Sequence, residues 1–105
     1  MEIKYCTSEE LSTLLNANND IQIIDVREQN EFEAIRIPGS LLIPLSGFVN
    51  NYGSIDKNKP AYILCGIGKR AAKAAEFLIQ NGYENVVVID GGIKSWYELG
   101  FPVEH

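Results

Sequence analysis

Ala61-Tyr62-Ile63-Leu64-Cys65-Gly66-Ile67-Gly68-Lys69-Arg70-Ala71-Ala72-Lys73-Ala74-Ala75-Glu76-Phe77-Leu78 passes from an apolar strand, through a glycine-rich turn, into a helix. The strand reading rests on a short apolar run that follows the polar turn Asp56-Lys57-Asn58-Lys59-Pro60. Ala71, Ala74, Ala75 and Leu78 recur at helical spacing, which predicts a helix over 71–81, and Gly82 supplies the left-handed residue that closes it. The same alternation continues on both sides. Upstream, Thr7-Ser8-Glu9-Glu10 is a capping box ahead of Leu11, Leu14 and Leu15, and the tract Asn16-Ala17-Asn18-Asn19-Asp20 ends that helix. A strand over 21–24 delivers Asp25 at its carboxyl end, and a short helix over 28–34 follows, for which Asp25 can serve as cap with Glu28 at the third position. Ile37-Pro38-Gly39-Ser40 breaks regularity, 41–43 reads as a strand stopped by Pro44, and 45–52 as a weak helix. Downstream, Val86 to Ile89 is the last strand, Asp90-Gly91-Gly92 a turn, and 93–99 a final helix closed by Gly100 and Pro102. Ile93, Trp96 and Leu99 share its expected core face.

Strands alternating with helices predict a three-layer α/β/α domain with a mainly parallel sheet of about four or five strands. In such a sheet ligands bind beyond the carboxyl ends of the strands. The 105 residues are expected to form one domain over 1–105. Fourteen acids against nine bases give a net charge of −5, which disfavours a nucleic-acid partner. The apolar runs fall far short of a membrane span, and Met1-Glu2-Ile3-Lys4-Tyr5 lacks a secretory pattern, so a cytoplasmic location with free thiols is the expectation. Two distant cysteines and one histidine, His105, offer neither a metal site nor a histidine-based catalytic triad.

The chemistry concentrates between Cys65 and Ala71. A thiol at a strand's carboxyl end, just before a helix N-terminus, meets unpaired amides and the positive end of the helix dipole, which favours the thiolate. Gly66 and Gly68 let the loop curl so that successive N–H groups point at one spot. Lys69 and Arg70 add positive charge in an acidic chain, pointing to an anionic substrate or intermediate. Lys69 is a mobile point charge, whereas Arg70 can grip an anion with two prongs or lock the loop through an internal ion pair. Cys6 reads instead as a hydrophobic staple residue before the Thr7 cap. Asp25 and Arg27 read as caps and ion pairs bracing the same sheet edge.

This loop resembles that of the rhodanese family, which typically reads Cys, two variable residues, Gly, one variable residue, Arg, and matches Cys65, Gly68 and Arg70. Asp25-Val26-Arg27 with Glu31-Phe32, then Ile37-Pro38-Gly39-Ser40, then Asp90-Gly91-Gly92-Ile93 with Trp96 and Gly100-Phe101-Pro102-Val103 are similar to the family's other signatures, in the same order. The resemblance implies a sulfurtransferase with no cofactor and no metal. Cys65 would take sulfur from a small anionic donor such as thiosulfate and pass it, as a persulfide, to a thiol or protein acceptor. The amides of Gly66, Ile67, Gly68, Lys69 and Arg70 would hold its charge, with Asp25 and Arg27 behind them. Some members relay persulfide to protein partners, and others are non-catalytic binding modules.

Three positions depart from the family's usual pattern and bear on substrate choice: Arg36 stands where histidine is usual, Gly66 where many members carry a polar or charged residue, and Ala71 where Ser or Thr is frequent. Two rival readings fail on spacing. Gly66-Ile67-Gly68-Lys69-Arg70-Ala71 fits a dinucleotide fingerprint, yet too little chain follows it to complete such a domain. Cysteine phosphatases of the same fold carry a longer loop between Cys and Arg, sized to encircle phosphate, than the Gly66-Ile67-Gly68-Lys69 segment present here.

Overall fold

The computed structural model describes residues 3–17 and 20–105. Five strands, β1 (Lys4–Cys6), β2 (Gln22–Asp25), β3 (Leu41–Leu42), β4 (Ala61–Leu64) and β5 (Val86–Ile89), form one sheet in the order β1-β5-β4-β2-β3. Every neighbouring pair is parallel. The helices are α1 (Ser8–Asn16), α2 (Gln29–Ala34), α3 (Phe48–Asn51), α4 (Lys69–Gln80) and α5 (Gly92–Glu98), with 3-10 turns at Leu45–Gly47 and Tyr52–Ser54 flanking α3. The fold is α/β, as the alternation of elements predicts. No helix among the described residues is long and apolar enough to cross a membrane.

Strand side chains alternate between two cores. Ala61, Ile63 and Cys65 follow one another on the face where Ala71, Ala74, Ala75 and Leu78 of α4 and Phe48 of α3 pack, together with Ile24, Val86 and Val88. Small alanines let α4 approach the sheet closely, which brings its first turn over the end of β4. Leu64 and Ile89 face the other way, into a core completed by Leu11 of α1 and by Ile93 and Trp96 of α5. Leu99, expected on that face, is exposed because α5 ends before it.

Element ends show where local chemistry dominates. Thr7 accepts from the Glu10 amide at 3.1 Å while Glu10 accepts from the Thr7 amide at 2.9 Å, completing the capping box before α1. Helix α1 ends at Asn16; Asn18 and Asn19 of the stop tract, and Met1 and Glu2, lie outside the described residues. Strand β1 leaves no mark in the sequence pattern, for a physical reason: an edge strand paired on one side, with Lys4 and Tyr5 exposed, carries no apolar alternation. Arg36 pairs with Glu104 through an antiparallel bridge and an ion pair of 3.5 Å, and its guanidinium lies over the Phe32 ring.

Asp25 does not cap α2. Glu28 is the N-cap, with Glu31 at the third position accepting the Glu28 amide at 2.9 Å. Asp25 instead folds back to accept the Arg27 amide at 3.0 Å and pairs with the Arg27 guanidinium at 2.8 Å, both side chains nearly fully buried. The same guanidinium donates to the carbonyls of Glu31 and Ile35 at 3.2 and 2.6 Å, so Arg27 clamps α2 to the end of β2. A buried pair broken on one side leaves an uncompensated charge. Asp25→Ala is therefore expected to destabilise the fold by about 3–5 kcal/mol, and Arg36→Ala, at a half-exposed pair, by under ~1 kcal/mol; urea denaturation of both variants measures the difference.

Candidate active site

The parallel arrangement brings the carboxyl ends of β2, β4 and β5 to one edge of the sheet. The chain leaves β2 toward β3 and leaves β4 toward β5, so the strand order switches direction between β2 and β4. A crevice opens at such a switch point because successive connections run to opposite sides. The segment Asp25 to Arg27 and the loop from Cys65 to Gly68 flank this point. They are tied by the Val26 amide, which donates to the Leu64 carbonyl at 2.9 Å.

Cys65 continues the inward alternation of β4, and its side chain is only 1% exposed. Beyond it the chain must turn sharply into α4, and Gly68 makes the turn at φ +113°, a conformation that side chains rarely adopt. That turn aims the Gly68 amide at the Cys65 Sγ, at 2.9 Å. The amides of Gly66, Ile67, Lys69, Arg70 and Ala71 donate to no group among the described residues, and no side chain caps α4. The thiol thus sits beside a run of unpaired N–H donors at the positive end of a twelve-residue helix.

Gly66 is not needed for a left-handed turn, unlike Gly68. Its use is space: a Cβ there would lie 3.1 Å from Arg70 Nη2, so the missing side chain makes room for the guanidinium beside the loop. Arg70 reaches across to α2 and holds Glu31 with two hydrogen bonds, Nη1 to Oε1 at 2.6 Å and Nη2 to Oε2 at 2.9 Å. Of the two roles open to Arg70 from sequence, the internal ion pair is the one formed in this structure. The Arg70 hydrogen bonds hold the Glu31 carboxyl at about 2, well below the usual carboxylate range, against the opposing effect of burial. Arg70 is raised in turn, first by its bond to Glu31 and further by Cys65 nearby. Lys69 is exposed and pairs with no acid among the described residues, and Ile67 is exposed at the loop tip.

Asp25 and Arg27 act on this loop at one remove. Their buried pair positions α2, α2 presents Glu31, and Glu31 grips Arg70. Glu31 was legible only as part of a signature; its partner depends on the β2 to β4 pairing, which spacing cannot supply. Gly92 was likewise legible only as turn chemistry and part of a signature, yet it packs directly on the backbone of Cys65 and Gly66.

The second thiol belongs to a different environment. Cys6 lies in the opposite core beside Leu11, as a staple residue should, and β5 separates its strand from β4. Two strand spacings amount to about 10 Å, beyond the ~7 Å limit for a disulfide. Burial first, then the charges of Glu10 and Asp90, push the Cys6 thiol up to about 11. Asp90 therefore lies beside Cys6 and donates its amide to the Cys6 carbonyl at 2.7 Å.

The model of the family described as "Rhodanese-like domain" matches residues 7–99. The chain is similar to a protein named sulfurtransferase from Allochromatium vinosum, at 32% identity over 91% of this chain and 90% of that one. It is also similar to the thiosulfate sulfurtransferase GlpE of Shewanella oneidensis, at 27% identity over 90% and 93%. Similarity to YqhL of Bacillus subtilis, an uncharacterized protein, is 41% over 71% of this chain, which spans 60% of that relative's length. The crystal structure of a rhodanese-related protein from Thermoplasma volcanium superposes with a TM-score of 0.88 at 34% identity, covering 96% of this chain and 97% of that one.

A carboxyl whose folded value is depressed stabilises the fold above its unfolded value of 4.5 and loses that contribution as pH falls toward about 2. Glu31→Gln should therefore lower stability at neutral pH. The gap from the wild type should close progressively between about pH 5 and pH 2, as measured by denaturant midpoints across that range.

Proposed function

The chain belongs to the rhodanese-like domain family, and on that premise we propose that it moves sulfane sulfur from a small anionic donor such as thiosulfate to a thiol or protein acceptor. The observation that carries this reading is the Cys65 sulfur held at one end of a run of unpaired amides. In the first step the Cys65 thiolate attacks the outer sulfur of thiosulfate. A new sulfur–sulfur bond forms at Cys65 as the bond to the sulfite group breaks, and sulfite leaves with its electron pair. In the second step the acceptor's nucleophile takes the outer sulfur, and Cys65 recovers its electron pair as thiolate. This is ping-pong chemistry with a covalent enzyme intermediate.

The loop residues divide the work. The amides of Gly66, Ile67 and Gly68, with those of Lys69 and Arg70 at the helix start, stabilise the anionic persulfide as an oxyanion hole stabilises its alkoxide. No side chain must reorganise for this, because the donors belong to the backbone. Lys69 attracts the doubly charged donor into an otherwise acidic molecule. Arg70 keeps the loop in register through Glu31, and its presence covers the Glu31 charge that would otherwise repel the donor. Asp25 and Arg27 support α2 and take no part in bond making. Cys6 has no role, since it faces the other core. The transfer needs no metal or organic cofactor, and every residue assigned a part in it lies in the one domain over 1–105. A thiol or a sulfur-carrying protein serves as acceptor in the cytoplasm, and cyanide in the test tube.

Thiosulfate-to-cyanide transfer tests the reading. Cys65→Ser is expected to abolish turnover while Cys6→Ser retains it; equal losses from both would show that the two cysteines act as a redox pair, and full turnover by Cys65→Ser would remove Cys65 from the proposed role. Arg70→Ala should cost about 1–3 kcal/mol in kcat/KM, more than Lys69→Ala, because it both loosens the loop and bares Glu31. The Lys69 effect should shrink as salt rises, since that charge acts through solvent, and kinetics at low and high ionic strength read it directly.

A further inference from the structure

Helix α5 begins against the candidate loop rather than against solvent. Its N-cap, Gly91, offers no side-chain cap, and its first-turn amides are taken by loop carbonyls: Ile93 donates to Cys65 O at 2.8 Å and Lys94 to Gly66 O at 3.3 Å. The approach is possible only because residue 92 has no side chain. A Cβ on Gly92 would stand 2.3 Å from Cys65 O, 2.5 Å from Gly66 O and 2.6 Å from Gly66 C, all backbone atoms that cannot swing aside. Conformation alone does not account for this glycine. Gly100 adopts a similar left-handed φ of +78° with nothing within 4 Å of the missing Cβ, and Gly91, also at +78°, would meet only Ser95 of its own helix.

We infer that Gly92 and the first turn of α5 are a positioning device that sets the orientation of the active-loop peptides. A trans peptide carries its N–H opposite its C=O, and the chain contains no cis peptide among the described residues. With the Cys65 carbonyl turned to Ile93, the Gly66 amide must point away from α5. With the Gly66 carbonyl turned to Lys94, the Ile67 amide must do the same. The two peptide planes are therefore locked with their N–H groups directed away from α5. A flip of either would present a carbonyl oxygen to the anion and reverse the sign of its interaction. Gly92 touches no reacting atom and acts through the loop. Its functional meaning rests on the sulfur-transfer reading proposed above, but the clamp itself does not.

Amide hydrogen exchange on the wild-type protein tests the clamp without any turnover. The first-turn amides of Lys69, Arg70 and Ala71 in α4, which have no acceptor, are the internal control. Ile93 and Lys94 are expected to exchange at least about 100-fold more slowly than these three, as hydrogen-bonded amides do; equal rates would overturn the inference. The functional arm compares Gly92→Ala with Gly100→Ala, which also places a side chain at a left-handed φ but away from the loop. At a temperature where both are folded by circular dichroism, Gly92→Ala should raise the KM for thiosulfate about tenfold or more, the cost of misplacing a hydrogen-bond donor, while Gly100→Ala stays near wild type. Equal KM values for the two variants would overturn it. A wild-type protein inactive on thiosulfate counts against the sulfur-transfer reading alone, and a Gly92→Ala protein that does not fold leaves the exchange arm decisive.

Discussion

The candidate site depends on β4 being paired in parallel on both sides, to β2 through Asp25 opposite Leu64 and to β5 through Ile63 opposite Val88. Parallel pairing places three carboxyl ends at one sheet edge, and each end contributes something different. From β2 comes the Asp25 and Arg27 clamp, from β4 the Cys65 loop, and from β5 the glycine turn that starts α5. An antiparallel β4 would send the same loop to the opposite edge, away from both neighbours. The helices follow from the strands: α4 sits close because its buried face is largely alanine, and α5 sits close because Gly92 is bare.

Two chains of contacts converge on the loop from its two sides. On one side Asp25 neutralises Arg27, Arg27 holds the end of α2, Glu31 projects from α2, and Arg70 is held by Glu31. On the other side α5 gathers the loop carbonyls. The first chain spends formal charge on support, so the full positive charge left free at the loop is that of Lys69, and the remaining positive potential comes from backbone amides. That division suits a small anion whose charge moves by one sulfur atom during transfer. Fixed backbone dipoles need no reorganisation, whereas a flexible side chain would have to follow the charge.

Much of this is legible in the sequence. The strand, turn and helix around Cys65 were readable because their periodicity changes from an apolar run to helical spacing within a few residues, with Gly82 marking the end. The Thr7 box was readable because capping is a local interaction spanning three residues. What escaped was non-local or lacked a pattern. Strand β1 is an edge strand without apolar alternation; Glu31 finds Arg70 across thirty-nine residues; Gly92 matters through a close approach to the Cys65 and Gly66 backbone, which is non-local. Of the two roles read for Asp25, the ion pair with Arg27 forms and the cap of α2 does not, because the adjacent Arg27 offers a stronger, charged partner in the core. Gly66 and Gly68 look equivalent in sequence, yet one turns the chain and the other makes room for a guanidinium.

The central claim is that Cys65 accepts a sulfur atom in a loop built to hold its negative charge. Its most direct test is intact-mass analysis of the wild-type protein after incubation with thiosulfate under non-reducing conditions, with peptide mapping of the product. The account predicts a gain of one sulfur atom, located on the peptide containing Cys65, released by cyanide or a small thiol, and accompanied by sulfite. An unchanged mass, or a sulfur atom located on Cys6, would contradict it.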